Sequence, residues 1–247
     1  MQYIVFDLEL NQDIPLSKNR SRSKGKYPFE IIQIGAIKLD SNLNTIDTFN
    51  SYVKPDIYTR VSPFITKLTK ITTRQLNREK LFPDVYKDFI KFIGNKKYIF
   101  CTWGMSDIVE LFKSTHYYKL DTKSLSKLYI NIQPYVSTYF GLSSKKLLSL
   151  QSAVESLGIS IPYGFHNALY DAYYAAEIFK KVYSPSIKAK EYDPYYIKPR
   201  PIKRKEKIDY EGLINQFNKM FGRKMSKEEE EIIKLAYKMG RTGQFIK

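Results

Sequence analysis

The run Tyr3-Ile4-Val5-Phe6-Asp7-Leu8-Glu9-Leu10-Asn11 carries apolar residues straight into two carboxylates two positions apart. On a strand, positions i and i+2 project from the same face, so Asp7 and Glu9 stand side by side. Like charges placed together repel, and a divalent cation held by oxygen ligands is the simplest compensation. The plainer alternative is a strand end with two solvated acids. Three further groups fall at element ends: Asp107, just beyond the apolar run Tyr98-Ile99-Phe100-Cys101-Thr102, and His166 with Asp171 at the start of a helical segment. Taken singly, each has a structural explanation, since an acid in a first helical turn complements the helix dipole and a loop histidine can be satisfied by backbone.

The elements that must position these groups follow in chain order. Residues 12–28 form a polar insert in which Lys18, Arg20, Arg22, Lys24 and Lys26 nearly alternate through Ser, Asn and Gly. Nothing in it can pack a core, so it reads as a basic loop, either solvated or holding a phosphate backbone near the carboxylate pair. Phe29 to Asp40, a turn at 41–44, and Thr45 to Val53 complete a three-stranded meander. Helical spacing runs from Ser62 to Gly94: a short helix opened by Ser62-Pro63, one capped by Thr72 or Thr73, and a third from Pro83 with Val85, Phe89, Ile90 and Ile93 on one side. Beyond the strand at Tyr98 to Thr102, the pattern gives a helix from Ser106 to Thr115, a strand from Lys127 to Gln133, an amphipathic helix from Lys146 to Leu157, and a helix from Ala168 to Tyr183 capped by Asn167. A meander followed by strand–helix units is an α/β or α+β layout, a mixed sheet with helices on its faces.

From Ser184 the composition changes. Proline, aromatic and basic residues between Tyr192 and Lys205 read as an extended connection. Tyr210 to Phe221 and Ser226 to Met239 then form a helical hairpin, the second helix opened by a Ser226/Glu229 capping box. The expected organisation is a main domain over 1–184, a basic linker over 185–207, and a helical hairpin over 208–247 that docks on a protein partner or on its own chain.

A formal charge of +16 with pI near 9.6 favours a polyanionic partner, of which nucleic acid is the commonest, although a biased genome would also enrich lysine. No window approaches the ~18 consecutive apolar residues of a membrane span, and the N-terminal residues lack a basic region and cleavage site. A soluble, cytoplasmic chain is expected. Cys101 is the only cysteine, which excludes an intrachain disulfide and a cysteine-based zinc cluster.

The joint pattern resembles the DEDDh-type 3′→5′ exonucleases, the superfamily of RNase T and the DNA polymerase proofreading subunits, from Gln2 to about Tyr183. Phe6-Asp7-Leu8-Glu9 matches the first motif, and Glu30-Ile31-Ile32-Gln33-Ile34-Gly35-Ala36 the strand after it. Thr102-Trp103-Gly104-Met105-Ser106-Asp107 matches the second motif, and His166-Asn167-Ala168-Leu169-Tyr170-Asp171 the third, with the five-residue spacing of the histidine subclass. Val53-Lys54-Pro55 and Leu68-Thr69-Lys70-Ile71-Thr72 also fit, with Lys70 where the family has glycine and Asn11 where it commonly has threonine.

The resemblance implies an RNase H-like fold and two divalent ions, Mg²⁺ or Mn²⁺, held by Asp7, Glu9, Asp107 and Asp171, with His166 and Glu9 as catalytic groups. The implied reaction releases nucleoside 5′-monophosphates from the 3′ end of single-stranded RNA or DNA. Leu10, Leu68, Thr69, Trp103 and Phe165 are the candidate substrate contacts, and Tyr163 and Phe165 the aromatics best placed to stack on bases. The competing reading is a catalytically silent nucleic-acid-binding or regulatory protein that keeps the fold. It has no need to hold four carboxylates in repulsive proximity.

Overall fold

The computed structural model describes residues 1–12, 29–195 and 208–241. Lys18, Arg20, Arg22, Lys24 and Lys26 lie outside the described residues, as does most of the basic linker. The chain divides into two compact units, residues 1–196 and 197–247.

The first unit is built on a six-stranded mixed sheet of order β3-β2-β1-β4-β5-β6. Its strands are β1 (Gln2–Gln12), β2 (Phe29–Leu39), β3 (Thr45–Tyr52), β4 (Tyr98–Thr102), β5 (Leu128–Asn131) and β6 (Lys190–Glu191). The β1–β2–β3 meander is antiparallel, β1, β4 and β5 are parallel, and β6 closes the far edge antiparallel to β5. The helices are α1 (Pro63–Thr69), α2 (Thr73–Leu76) and α3 (Phe82–Ile93) after β3, α4 (Ser106–Tyr117) between β4 and β5, and α5 (Gln133–Tyr139), α6 (Leu150–Ser156) and α7 (Ala168–Val182) between β5 and β6.

Because β1 is central and buried on both faces, it is apolar almost continuously rather than in alternation. Tyr3 and Val5, with Ile37, Leu39 and Cys101, face α5, α6 and α7. Ile4, Phe6 and Leu8, with Ile34, Ala36 and Phe100, face α3 and α4. Tyr174, Ile178 and Phe179 of α7 are fully buried, each contributing on the order of 1.5–3 kcal/mol, and this anchors α7 across β1 and β2. A bulge adds a third direction. The β1–β2 register passes from Glu9↔Gln33 to Leu10↔Ile31, so Ile32 is the extra residue. It turns into a separate cluster with Val61, Ile65, Ile71 and Leu76 under α1 and α2.

The sequence reading and the structure differ at three elements. Gln133, read as a strand end, starts α5. The helix read from Lys146 begins at Leu150, because the Lys146 and Leu148 carbonyls accept from Ser137 Oγ (2.7 Å) and Gln133 Nε2 (2.7 Å) of α5 instead of from a helical turn. Ser149 then caps α6, accepting from the Ser152 N–H at 3.1 Å. β6, within the stretch read as linker, is a two-residue edge strand.

In the second unit, α8 (Tyr210–Phe221) is capped by Asp209, whose Oδ1 accepts from the Gly212 N–H at 2.7 Å, and it ends at Gly222 in the left-handed conformation. The box that opens α9 (Lys227–Arg241) is reciprocal, Ser226 N–H to Glu229 at 2.8 Å and Glu229 N–H to Ser226 Oγ at 3.3 Å. Among the described residues no helix is long and apolar enough to cross a membrane.

Candidate active site

Asp7 and Glu9 extend the Tyr3/Val5 face of β1, on which α7 lies. Asp7 is opposite Gly35 in the β1–β2 register. A Cβ at Gly35 would fall 2.1 Å from the Ala168 carbonyl carbon and 2.1 Å from the Leu169 nitrogen. Only a bare backbone lets the first turn of α7 descend onto β2 beside Asp7. Opposite Glu9 stands the fully buried Gln33. Its Oε1 accepts from the Ala168 N–H (3.2 Å), and its Nε2 donates to Asn50 Oδ1 (2.9 Å) and Asn167 Oδ1 (3.3 Å). Asn167 then caps α7, accepting from the Leu169 N–H (3.1 Å) and the Tyr170 N–H (3.5 Å).

These contacts fix the turn that carries His166 and Asp171. His166 adopts φ +64°, a left-handed conformation that histidine tolerates better than most side chains. The turn points the His166 backbone N–H at Asp171 Oδ2 (3.1 Å) and leaves the imidazole exposed, without a hydrogen bond among the described residues. Asp107 arrives from the other layer, buried in the first turn of α4. The turn before it is held by Ile132 N–H to the Thr102 carbonyl (3.0 Å) and by Gly104 N–H to Asn131 Oδ1 (3.1 Å).

Ligand oxygens of Asp7, Glu9 and Asp171 lie within 4.8 Å of one another. Burial, reinforced by the charges of Asp107, Asp171 and Glu9, holds the Asp7 carboxyl well above the usual carboxylate range. Glu9 is pushed up to about 8 by burial and then by Asp171 and Asp107. Burial takes Asp107 up to about 7 against the pull of its own and Leu8's N–H donors, and Asp171 up to about 6 against the His166 N–H. Buried carboxyls, of which Asp7, Glu9 and Asp107 are raised further by neighbouring negative charge, form a site completed by positive charge. Asp171 Oδ1 is buried with no hydrogen-bond partner among the described residues. An all-oxygen set with one such unpaired lone-pair donor fits Mg²⁺ or Mn²⁺.

The remaining candidates are placed unevenly. Leu68 is exposed on α1, and Leu10 sits half-buried just past the bulge. The Thr69 hydroxyl is committed within its own turn, donating to the Ile65 carbonyl (2.9 Å) and accepting from the Ile71 N–H (3.1 Å). The Trp103 indole packs against the α7-side core, its Nε1 without a partner among the described residues. Phe165 tilts over Tyr174 at 4.9 Å, while Tyr163 stacks on Tyr170 at 4.4 Å. Three positioning residues carry no chemistry of their own and do not stand out in the sequence. Gly35 has only the signal of a strand-interior glycine, and Gln33 that of a polar residue in an apolar run. Asn11 is fully buried and bridges the Arg60 carbonyl (3.1 Å) and the Ser62 N–H (2.9 Å), tying the start of α1 to the end of β1.

The profile of the exonuclease (RNase T) family matches residues 4–179. The chain belongs to this family. Among its relatives, the human 3′-5′ exoribonuclease 1 is 30% identical over 163 residues, covering 62% of this chain and 46% of the human protein, so this chain matches about half of that relative's length. The probable 3′-5′ exonuclease KapD of Bacillus subtilis is 29% identical over 195 residues, covering 76% of this chain and 86% of KapD. Among solved structures, the nuclease domain of 3′hExo, a DEDDh family member bound to rAMP, superposes with a TM-score of 0.62 at 26% identity, covering 73% of this chain and 90% of that domain. The mixed sheet with helices on both faces is thus the RNase H-like fold of this exonuclease family.

Proposed function

We propose that this exonuclease-family chain is a metal-dependent 3′→5′ exonuclease that hydrolyses the terminal phosphodiester of single-stranded RNA or DNA and releases nucleoside 5′-monophosphates. The observation that carries the reading is the convergence of Asp7, Glu9 and Asp171 oxygens within 4.8 Å, with the Asp107 charge against them. Mg²⁺ or Mn²⁺ held by these four carboxylates would supply neutralising charge and Lewis acidity at the phosphodiester. The protein's own groups do the rest. His166, exposed beside Asp171, accepts the proton of the attacking water. Gln33, Asn167 and Gly35 hold its turn in place, and Leu10 and Leu68 offer apolar surface to the terminal nucleotide. The exonuclease domain runs past the boundary expected at residue 184 to take in β6, and the helical hairpin follows it in sequence. RNA as a substrate is supported by the human relative's name as an exoribonuclease and by the rAMP bound to 3′hExo.

The test is digestion of matched RNA and DNA single strands labelled at the 5′ end, with Mg²⁺ or Mn²⁺ and with EDTA. A 3′-shortening ladder that requires metal and disappears in Asp171→Asn is expected. Strands that are bound normally yet never degraded would overturn the proposal and leave a nucleic-acid-binding protein.

A further inference from the structure

A groove of about 400 Å³ is lined by Met105, Asn131, Tyr129, Tyr135, Lys188 and Lys190 among others, none of them acidic. It adjoins the site through shared structure. Met105 precedes α4 and stands two residues before Asp107, and Asn131 Oδ1 holds the Gly104 N–H at 3.1 Å, so the groove wall and the Asp107 turn are one hydrogen-bonded unit. Its outer wall is the sheet edge, where Lys190 pairs directly with Tyr129 across β5–β6. Directly opposed residues of an antiparallel pair share a face, so Lys190 and Tyr129 leave the sheet edge on the same side. Glu191, the next residue along, is turned to the other face. The Tyr135 hydroxyl donates to the Lys188 carbonyl at 3.3 Å and binds α5 to the segment entering β6. Neither Lys188 nor Lys190 has a carboxylate partner among the described residues.

We propose that this groove is a subsite for the single strand upstream of its 3′-terminal nucleotide, with Lys188 and Lys190 on backbone phosphates and the Tyr129 and Tyr135 rings against bases. The occupant follows from charge and chemistry. An acid-free pair of lysines suits a polyanion, two rings suit unstacked bases, and a polyanion whose end lies at the Asp107 side continues past Met105 into this groove. The inference rests on the exonuclease reading and deepens it, because it makes affinity depend on strand length.

The experiment compares wild type with Lys188→Ala/Lys190→Ala on a dinucleotide and on a much longer 5′-labelled single strand. For the long strand, kcat/KM should fall about tenfold and the slope of log affinity against log salt should flatten by roughly 0.7 for each phosphate no longer neutralised. The dinucleotide should be cleaved as before, and Lys188→Arg/Lys190→Arg should restore long-strand cleavage. Equal rates at every length, or an equal loss on both substrates, would overturn the proposal. Anisotropy binding of the same strands in EDTA reads the groove without hydrolysis. A length-dependent loss of binding by the double variant therefore sustains the groove even if no cleavage is found, whereas unchanged binding refutes it while leaving the nuclease reading intact.

Discussion

Replacing Gly35 by alanine adds one methyl group at the point where β2 and α7 touch. The new Cβ would sit 2.1 Å from two backbone atoms of α7, and recovering an ordinary contact of 3.4 Å requires a retreat of about 1.3 Å. Neither partner is a side chain that can swing aside. Gly35 lies in the second strand of the sheet, and the obstructing atoms belong to a helix held by Tyr174, Ile178 and Phe179. Overpacking of this kind costs about 1–3 kcal/mol, equivalent to a fall in Tm of ~2–4 °C per kcal/mol for a domain of this size. The functional loss should be larger than the stability loss. The retreat carries Asp171 and His166 away from Asp7 and Glu9, and a misplacement near 1 Å costs about a hundredfold in rate. The assay pairs thermal melts with single-turnover degradation of a 5′-labelled strand well below Tm. Ile93→Val, in the buried face of α3, serves as a comparator because it should lose about 0.5–1.5 kcal/mol with activity retained. Full activity and an unchanged Tm in Gly35→Ala would show that α7 is not seated against β2 as described, and the positioning argument would fail.

Two other outcomes follow from the same site. The acids of the cluster hold their protons more tightly folded than unfolded, Glu9 at about 8 against an ordinary 4.5. The metal-free fold is therefore favoured at low pH and loses stability as pH rises from the unfolded value through about 8, by up to ~1.4 kcal/mol per pH unit for each group titrating. Melts in EDTA should show Tm falling across this window, with Mn²⁺ recovering it at the alkaline end and Glu9→Gln reducing the slope; a flat or rising Tm contradicts the electrostatic account. Gln33→Leu strands the buried Ala168 N–H in the interior, at about 1–3 kcal/mol for the unsatisfied group. An unchanged urea midpoint would mean that Gln33 does not hold the α7 turn.

The acids that the fold brings together are legible in the sequence because their signals are local. Asp7 and Glu9 share a face by the period of a strand, and Asp171 follows a capping asparagine by four positions. The meander, α3 and α7 were legible for the same reason. What supports them was hidden because it is defined by contacts across the chain. Nothing near Gly35 in sequence says that a helix begun at Ala168 will press on it, and Asn11 reads only as the end of the opening strand until Arg60 and Ser62 are folded against it. α5 had a signal in Pro134 within its first turn, masked by the apolar strand that runs into it. β6 has only two residues, too few for any periodicity to declare itself.

The hydrogen bond from Ala168 to Gln33 spans 135 positions. During synthesis, β1 to β4 and α4 can emerge and pack with Asp7, Glu9 and Asp107 already present, yet the fourth carboxylate is still untranslated. A nascent chain interrupted anywhere before α7 therefore lacks Asp171 and cannot assemble the carboxylate cluster. The cluster closes only when the last core helix settles onto a glycine made more than a hundred residues earlier.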